Sequence, residues 1–217
     1  DMSDQNLRRR KTLRVEGGQK PDGEVIVSGA KNAATKLMAA SLLTSEKIIL
    51  NNFPTELVDA RYKGKFMREI GVEICFDKEK QRLSIQAASI NSEPLSDYFF
   101  PVRTTYLLVA GQLNRNGIAR IPYPEGCRIG DRKYDLHVMV WKKMGCIVTE
   151  KEDYIEVEGQ LRPAELNFPI STIGGTENAI ICGAAINGTT IVKNAYISPE
   201  VGCLIEFLRS MGVEIQT

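Results

Sequence analysis

The sequence has little of what marks several common classes of site. One His occurs among 217 residues, and the five cysteines form no Cys-x-x-Cys pair, which argues against a zinc centre or another metal site. Lys and Arg number 28 against 27 Asp and Glu, so no overall positive field attracts nucleic acid or a membrane surface. No window approaches 18 apolar residues, so the sequence predicts no membrane span. We expect no cofactor and no nucleic-acid or membrane partner.

The cysteines indicate a reduced, cytoplasmic protein. Their number is odd and their spacing wide, unlike the dense cysteine framework of small secreted domains. Four lie inside apolar runs and are predicted to be core thiols: Cys75, Cys146, Cys182 and Cys203. Cys127 is the exception, since it lies in the polar stretch Pro-Glu-Gly-Cys-Arg-Ile-Gly-Asp-Arg-Lys-Tyr-Asp-Leu-His of residues 124–137.

The stretch 124–137 places Cys127 in a glycine-punctuated loop beside Arg128, Arg132 and Lys133. Neighbouring cations favour the thiolate, and glycine lets a ligand approach the backbone closely. Two interpretations follow from the spacing. One is a reactive thiol next to an anion site, and the other is a buried structural cysteine in a basic turn.

Internal repeats organise the rest of the chain. Residues 66–74, 141–148 and 207–215 each read as an amphipathic helix, a glycine just past its end, and a β-branched strand. Small-residue helices are predicted at 32–43, 103–113 and 176–186. Strands are predicted to follow them at 47–50, 118–121 and 189–192, with closing strands at 82–86 and 154–157.

Each repeat therefore reads strand, helix, strand, helix, strand, and the third lacks its closing strand. This pattern predicts an α/β domain of three βαβαβ-type repeats packed around small-residue helices, the third repeat being incomplete. An unpaired sheet edge would be left open. We infer that the chain is a fragment, a truncated relative, or a chain completed by a partner.

Two motifs carry a resemblance to a known family. Residues 28–34 read Ser-Gly-Ala-Lys-Asn-Ala-Ala, and residues 126–132 read Gly-Cys-Arg-Ile-Gly-Asp-Arg, followed by Asp-Leu-His. From about Leu13 onward the chain resembles the first half of the bacterial enolpyruvyl transferases, above all those that act on UDP-N-acetylglucosamine. The related shikimate-pathway enzymes share the fold but lack the cysteine loop.

The resemblance implies an inverse α/β barrel domain over residues 23–217, which carries the cysteine loop. Residues 13–22 would form a strand segment that belongs to a second domain. Residues 1–12, a polar and basic stretch without an apolar run behind it, are predicted to be a disordered tail.

The resemblance also implies a reaction. Phosphoenolpyruvate would react with the 3-hydroxyl of UDP-N-acetylglucosamine and release phosphate, which is the first committed step of peptidoglycan synthesis. Cys127 would be the general acid and the thiol that fosfomycin alkylates. Lys31 would hold phosphoenolpyruvate, and Arg132 would reach its phosphate.

Further binding residues follow from the same resemblance. Asn32 and Arg103 would bind substrate, and the uridine pocket would be lined by Lys133, Tyr134, Asp135, Leu136, His137, Thr172, Ile173 and Gly174. Simpler interpretations stay open for three of these residues. Lys31 and Arg103 also fit ordinary cations at helix starts, and Asp135 also fits a helix cap.

The chain departs from the family pattern at several positions. The family loop is usually Pro-Gly-Gly-Cys-Ala-Ile-Gly-Ala-Arg-Pro, and the present loop is far more charged. Two lysines that the family directs to the nucleotide fall on Thr55 and Ile170. The alternatives are therefore a paralogue with another nucleotide acceptor, or a non-catalytic nucleotide-sugar-binding relative. The isolated chain is expected to be inactive without a second domain or a second chain.

Overall fold

The computed structural model describes residues 14–18, 23–99, 103–123 and 135–217. Within these residues six α-helices form, in chain order α1 Lys31–Ala40, α2 Val58–Glu69, α3 Val109–Asn116, α4 Asp135–Lys143, α5 Ile173–Ala184 and α6 Pro199–Ser210. Two 3-10 helices cover Ser41–Leu43 and Arg103–Leu108. The strands are β1 Ile48–Leu50, β2 Glu73–Asp77, β3 Arg82–Gln86, β4 Ile118–Pro122, β5 Ile147–Glu150, β6 Tyr154–Glu158, β7 Glu165–Asn167 and β8 Ile191–Lys193.

The strands form three small sheets, one in each repeat. The first two are antiparallel, with strand orders β1-β3-β2 and β4-β6-β5, so the closing strand lies in the centre of each. The third holds β7 and β8 in parallel. The central strands alternate buried and half-buried residues, because one face of each sheet packs on the helices.

The glycine stops predicted for the three repeats are confirmed. Gly71, Gly145 and Gly212 have φ of +100°, +96° and +94°, which is the left-handed region that glycine tolerates. After each glycine, the next backbone N–H donates to the carbonyl five residues earlier, at 2.9, 2.9 and 3.1 Å. This bond is the mark of a Schellman ending, so the repeats share their turn geometry as well as their sequence.

The small-residue helices lie in the interior, as predicted. Ala39 and Ala40 of α1 are fully buried, as are Ala110 of α3 and Ala179 of α5. The approach is close: a Cβ placed on Gly111 would lie 2.4 Å from the Cβ of Leu42. A single apolar core therefore joins side chains from all three repeats.

Helix bounds differ from the prediction in all three repeats. The predicted helix at 32–43 is α1 Lys31–Ala40 followed by the 3-10 helix Ser41–Leu43. The predicted helix at 103–113 is split into the 3-10 helix Arg103–Leu108 and α3, a common arrangement at helix starts. The predicted helix at 176–186 begins earlier, at Ile173, because the hydroxyl of Thr172 accepts the N–H of Gly175 and caps it.

Two predicted strand positions are wrong in the part of the chain that the structure describes. The opening strand of the third repeat is present as β7, whereas the described residues before α1 in the first repeat form no strand, and Val25, Ile26 and Val27 among them stay more than 80% exposed. Residues 213–215 form no strand, since the described chain offers them no closing strand as a partner. β-Branched composition favours a strand only where a neighbouring strand and a buried face are present.

The predictions for the amino terminus fall only partly on described residues. Residues 1–12 lie outside the described residues. Of the segment 13–22, the described residues 14–18 are exposed and form no strand, and Arg14 pairs with Glu16. The assignment of this segment to a second domain stays a prediction.

Candidate functional site

The first part of the site is the amino-terminal turn of α1. Lys31 and Asn32 are its first two residues, and both are exposed. Ala30 precedes them and supplies no side-chain cap. The first N–H groups of a helix have no partner within the helix, so this uncapped turn presents N–H donors next to a lysine. Such a combination suits an anion.

Two carboxylates lie beside the Lys31–Asn32 turn. The Nζ atom of Lys31 lies 2.7 Å from Oδ2 of Asp59 at the start of α2, and these side chains are 57% and 33% exposed. Asn32 interacts with Glu200 at the start of α6, where a hydrogen bond from Ser198 chiefly, and one from Asn32 more weakly, lower the pKa of that carboxyl. An ion pair as exposed as Lys31–Asp59 contributes about 0–1 kcal/mol to stability. Separating Lys31 from Asp59 to bind an anion would therefore cost little.

The second part of the site is the start of α5. The Thr172 hydroxyl is used as the helix cap, and its carbonyl accepts the hydroxyl of Thr176 at 2.6 Å. Ile173 is 44% exposed, and Gly174 is half-buried. The N–H groups of residues 173 and 174 belong to the first helical turn, where no intrahelical acceptor exists. These N–H groups could contact a ligand, and the predicted uridine pocket stays a prediction.

The third part of the site is the start of α4, where Asp135 is exposed and Leu136 is partly buried. His137 packs against Tyr106 with ring centroids 5.2 Å apart, and its Nε2 would lie 3.4 Å from a Cβ on Gly174. Its Nδ1 is buried without a hydrogen-bond partner among the described residues. Burial lowers the pKa of His137 to about 4. The imidazole is therefore neutral near pH 7, which suits a wall of the site rather than a cation.

These contacts bring the amino-terminal ends of several helices together. The Lys31–Asp59 pair joins α1 to α2, and Asn32 joins α1 to α6. The N–H of Tyr196, before α6, donates to Thr176 in the first turns of α5 at 3.1 Å. His137 then links α4 to α5 and to the 3-10 helix Arg103–Leu108. Each helix contributes partial positive charge at this end, which favours an anion next to Lys31, while the carboxylates of Asp59, Asp135 and Glu200 at the same helix starts oppose it.

The side chains of the remaining predicted site residues are not among those that the structure describes. Cys127, Arg132, Lys133 and Tyr134 fall outside the described residues. Arg103 begins the 3-10 helix Arg103–Leu108, and its side chain also lies outside them. Their predicted roles stay predictions.

Sequence reasoning missed several charged residues beside the site. Asp59 and Glu200 meet the Lys31–Asn32 turn. Lys36, Lys63 and Glu177 are buried beneath it. A signal was available, because Lys36 and Glu177 are charges inside otherwise small or apolar helical runs, where a lone charge points to a buried partner.

Within the described residues, no group of three or more His, Cys, Asp and Glu side chains is arranged to hold a metal ion. No described helix is long and apolar enough to cross a membrane.

Comparison with known proteins places the chain. Residues 15–217 match the family model of EPSP synthase (3-phosphoshikimate 1-carboxyvinyltransferase). The chain belongs to the EPSP synthase family. This match covers almost the whole sequence, and it confirms the resemblance that the two motifs carried.

Curated relatives in this family are named UDP-N-acetylglucosamine 1-carboxyvinyltransferase. The protein from Maricaulis maris is 36% identical over 211 residues, which cover 93% of this chain and 48% of the relative. That from Wolbachia pipientis is 34% identical over 203 residues, covering 89% and 47%. The chain thus spans about half the length of the curated relatives it matches.

Solved structures of this family confirm the fold. The enolpyruvyl transferase NikO from Streptomyces tendae superposes with a TM-score of 0.79 at 21% identity, over 92% of this chain and 47% of that one. EPSP synthase from Acinetobacter baumannii gives 0.69 at 14% identity, over 90% and 45%. The predicted α/β enolpyruvyl transferase fold is therefore correct, and the chain matches about half of each neighbour.

Proposed function

We propose that this domain forms one wall of an active site that transfers the enolpyruvyl group of phosphoenolpyruvate to the 3-hydroxyl of UDP-N-acetylglucosamine. A second domain or a second chain completes the site. The names of the curated relatives support this assignment. The observation that carries it is the face of converging helix starts with Lys31 and Asn32 at its surface.

The chemistry proposed for this wall is addition followed by elimination. The sugar hydroxyl gives its proton to a base of the second domain or second chain while its oxygen bonds to C2 of phosphoenolpyruvate and Cys127 gives a proton to the methylene carbon. The Cys127 thiolate then takes a proton back from the resulting methyl group as the bond from C2 to the phosphate oxygen breaks. Phosphate leaves with the proton of the hydroxyl, and the enol ether remains. Lys31 and the first N–H groups of α1 neutralise the phosphate and carboxylate charges. Arg132 and Arg103 supply further positive charge.

The proposal extends to the nucleotide and to the cell compartment. The uridine would lie against residues 133–137 and the start of α5, where N–H groups of residues 173 and 174 are free of intrahelical partners. Fosfomycin would alkylate Cys127. The reaction would serve peptidoglycan synthesis in the cytoplasm, where thiols stay reduced.

The test is phosphate release from phosphoenolpyruvate and UDP-N-acetylglucosamine, measured on the purified 217-residue chain and on a full-length protein that contains it. We expect release only from the full-length protein, only with both substrates, and its loss in Cys127→Ser. Cys75→Ser is the matched control, since Cys75 is an exposed thiol on β2. The prediction of core thiols is confirmed for the buried Cys146 and Cys182 and is wrong for Cys75 and Cys203, which are both exposed. Release by the 217-residue chain alone would mean that copies of the chain complete the site between them.

A different acceptor nucleotide is the second candidate, and two positions favour it. Thr55 is buried with 4% exposure, and Ile170 is 62% exposed. Neither supplies the cation that the family directs to the nucleotide. Release of phosphate with another nucleoside acceptor, but not with UDP-N-acetylglucosamine, would favour this candidate. A folded full-length protein that binds nucleotide and releases no phosphate with any acceptor would instead be a non-catalytic relative.

A further inference from the structure

Three ionisable side chains are buried beneath the Lys31–Asn32 turn, where α1, α2 and α5 meet. Lys36 is 8% exposed, Lys63 is 0% and Glu177 is 2%. Lys and Glu are almost never buried this deeply unless they are paired, because removing a charge from water is costly. Apolar residues of similar volume would pack there without that cost, so general stability does not account for the cluster.

The contacts of these three side chains run between helices. The Nζ atom of Lys63 on α2 donates to the carbonyl of Thr35 on α1 at 2.7 Å. The Nζ atom of Lys36 on α1 lies 3.8 Å from Oε2 of Glu177 on α5. Each contact therefore ties α1 to a different neighbouring helix.

We propose that Lys36, Lys63 and Glu177 are positioning residues that fix the amino-terminal turn of α1, and with it Lys31 and Asn32, in the geometry that the ligand requires. The identity of that ligand rests on the proposed function. The positioning itself does not.

The surface of α1 explains why such ties are needed. Its buried apolar residues are Ala34, Ala39 and Ala40, together with Met38, whose unbranched side chain adapts to its surroundings. Small side chains form shallow ridges, and shallow ridges leave a helix free to shift along its neighbours. An ammonium that donates to one particular carbonyl has a narrow range of acceptable distances and angles. The hydrogen bond from Lys63 to Thr35, with the Lys36–Glu177 ion pair beside it, therefore sets the register that alanine packing leaves open.

Helical spacing connects the buried ties to the exposed site. Lys31 lies one turn before Thr35, and Asn32 lies one turn before Lys36, so each site residue stands above a tied residue on the same face of α1. The outer contacts of Lys31 with Asp59 and of Asn32 with Glu200 repeat the arrangement at the surface. A shift of α1 would therefore disturb the buried contacts and the surface contacts together.

The electrostatic surroundings show that the three groups act on one another. The pKa of Glu177 is affected by the charges of Lys36, Lys63 and Glu200. The pKa of Lys63 is affected by the charges of Lys36, Glu177 and Asp59. His137 on α4 approaches α5 at Gly174 and packs on Tyr106 of the 3-10 helix Arg103–Leu108. Burial raises the pKa of Glu177 to about 7 and lowers that of Lys63 well below its ordinary value.

Hydrogen exchange on the purified 217-residue chain tests the positioning directly. The variants are Lys63→Met and the near-isosteric Glu177→Gln. Matched controls are Lys65→Met on the exposed side of α2 and Glu206→Gln on α6. In both variants we expect the amides of residues 34–37 to exchange about tenfold faster, while those of β3 keep their protection within about twofold, as local opening requires.

Two outcomes would overturn the inference. One is unchanged exchange at residues 34–37 in a folded Glu177→Gln chain. The other is an equal loss of protection at residues 34–37 and in β3, which would mean that the cluster serves only global stability. If Lys63→Met fails to fold, Glu177→Gln alone decides the question.

Kinetics on the full-length protein separate this inference from the proposed function. We expect Glu177→Gln to raise KM for phosphoenolpyruvate about five- to tenfold with kcat changed less than twofold, as for a lost ground-state contact. The double variant Lys63→Met/Glu177→Gln should raise this KM no further than the single variant with the larger effect, because the groups act as a unit. If no phosphate is released even by the parent protein, the proposed function fails, and the exchange result still decides whether the cluster positions α1.

Discussion

At the scale of single residues, the site is governed by where charge is buried and where it is exposed. Lys31 and Asp59 form their pair at the surface, where water weakens it. Lys36 and Glu177 meet in the interior, where an unpaired charge is far more costly. The same residue types therefore have different tasks. The exposed pair yields to a ligand, whereas the buried pair holds a helix in place.

Acid titration should separate His137 from Glu177. The pKa of His137 falls from 6.5 to about 4, so its contribution to stability is present above pH 6.5 and is lost as pH falls through 4. The pKa of Glu177 rises from 4.5 to about 7, so its contribution is present below pH 4.5 and is lost as pH rises through 7. The two effects oppose each other between pH 4.5 and 6.5.

We therefore expect His137→Gln to lose less stability than the parent chain on acidification from pH 6.5 to 4.5, and Glu177→Gln to lose more. Over these two pH units, the pKa shift of one such group changes the free energy of unfolding by at most about 3 kcal/mol. Urea unfolding at each pH measures the difference, with the exposed Glu206→Gln as control. Parallel stability profiles for all four proteins would contradict the assignment of buried titrating groups.

At the scale of elements, close helix packing positions the site. The 3-10 helix that follows α1 meets α3 at Gly111, where the Leu42 side chain packs directly on the α3 backbone. Three Schellman endings then turn the chain from each outer helix into the next segment with the same geometry. Identical turns and small interior residues allow three repeats to share one core.

Adding one methyl group should reveal how tight this packing is. Gly111→Ala places a Cβ 2.4 Å from that of Leu42, and we expect it to lower the free energy of unfolding by about 1–3 kcal/mol through overpacking. Gly202→Ala on α6 meets nothing within 4 Å. That control should raise stability by about 0.5–1 kcal/mol, because alanine favours a helix over glycine. Chemical denaturation of both variants makes the comparison, and equal effects would contradict the packing described.

At the scale of the whole molecule, the shared core predicts cooperative unfolding. Leu204 of the third repeat and Trp141 of the second are both fully buried in that core. Leu204→Ala should lower the free energy of unfolding by about 2–5 kcal/mol. Trp141 fluorescence and far-ultraviolet circular dichroism should shift together, as a single transition requires.

Ile197→Ala is the control for this experiment, since Ile197 is 52% exposed before α6 and should change stability by less than about 0.5 kcal/mol. If Leu204→Ala shifts the unfolding transition seen by circular dichroism and leaves the transition seen by Trp141 fluorescence unchanged, the repeats unfold separately. The repeats would then be independent units with adjoining surfaces.

The sequence by itself determined the repeat frame and the family. Gly71, Gly145 and Gly212 marked the helix ends because only a residue that accepts positive φ fits there. The motif that contains Lys31 and Asn32, together with the cysteine loop, was enough to indicate the family. Local backbone chemistry of this kind is contained in short stretches of sequence, which is why it could be predicted.

The tertiary structure decided which residues meet. It placed Asp59 and Glu200 beside the Lys31–Asn32 turn, and it buried Lys36 against Glu177, a residue more than a hundred positions away in the chain. It also left residues 25–27 in solvent despite their β-branched side chains. Pairing across the chain depends on how helices and strands pack, and burial alone separates a surface lysine from a positioning one.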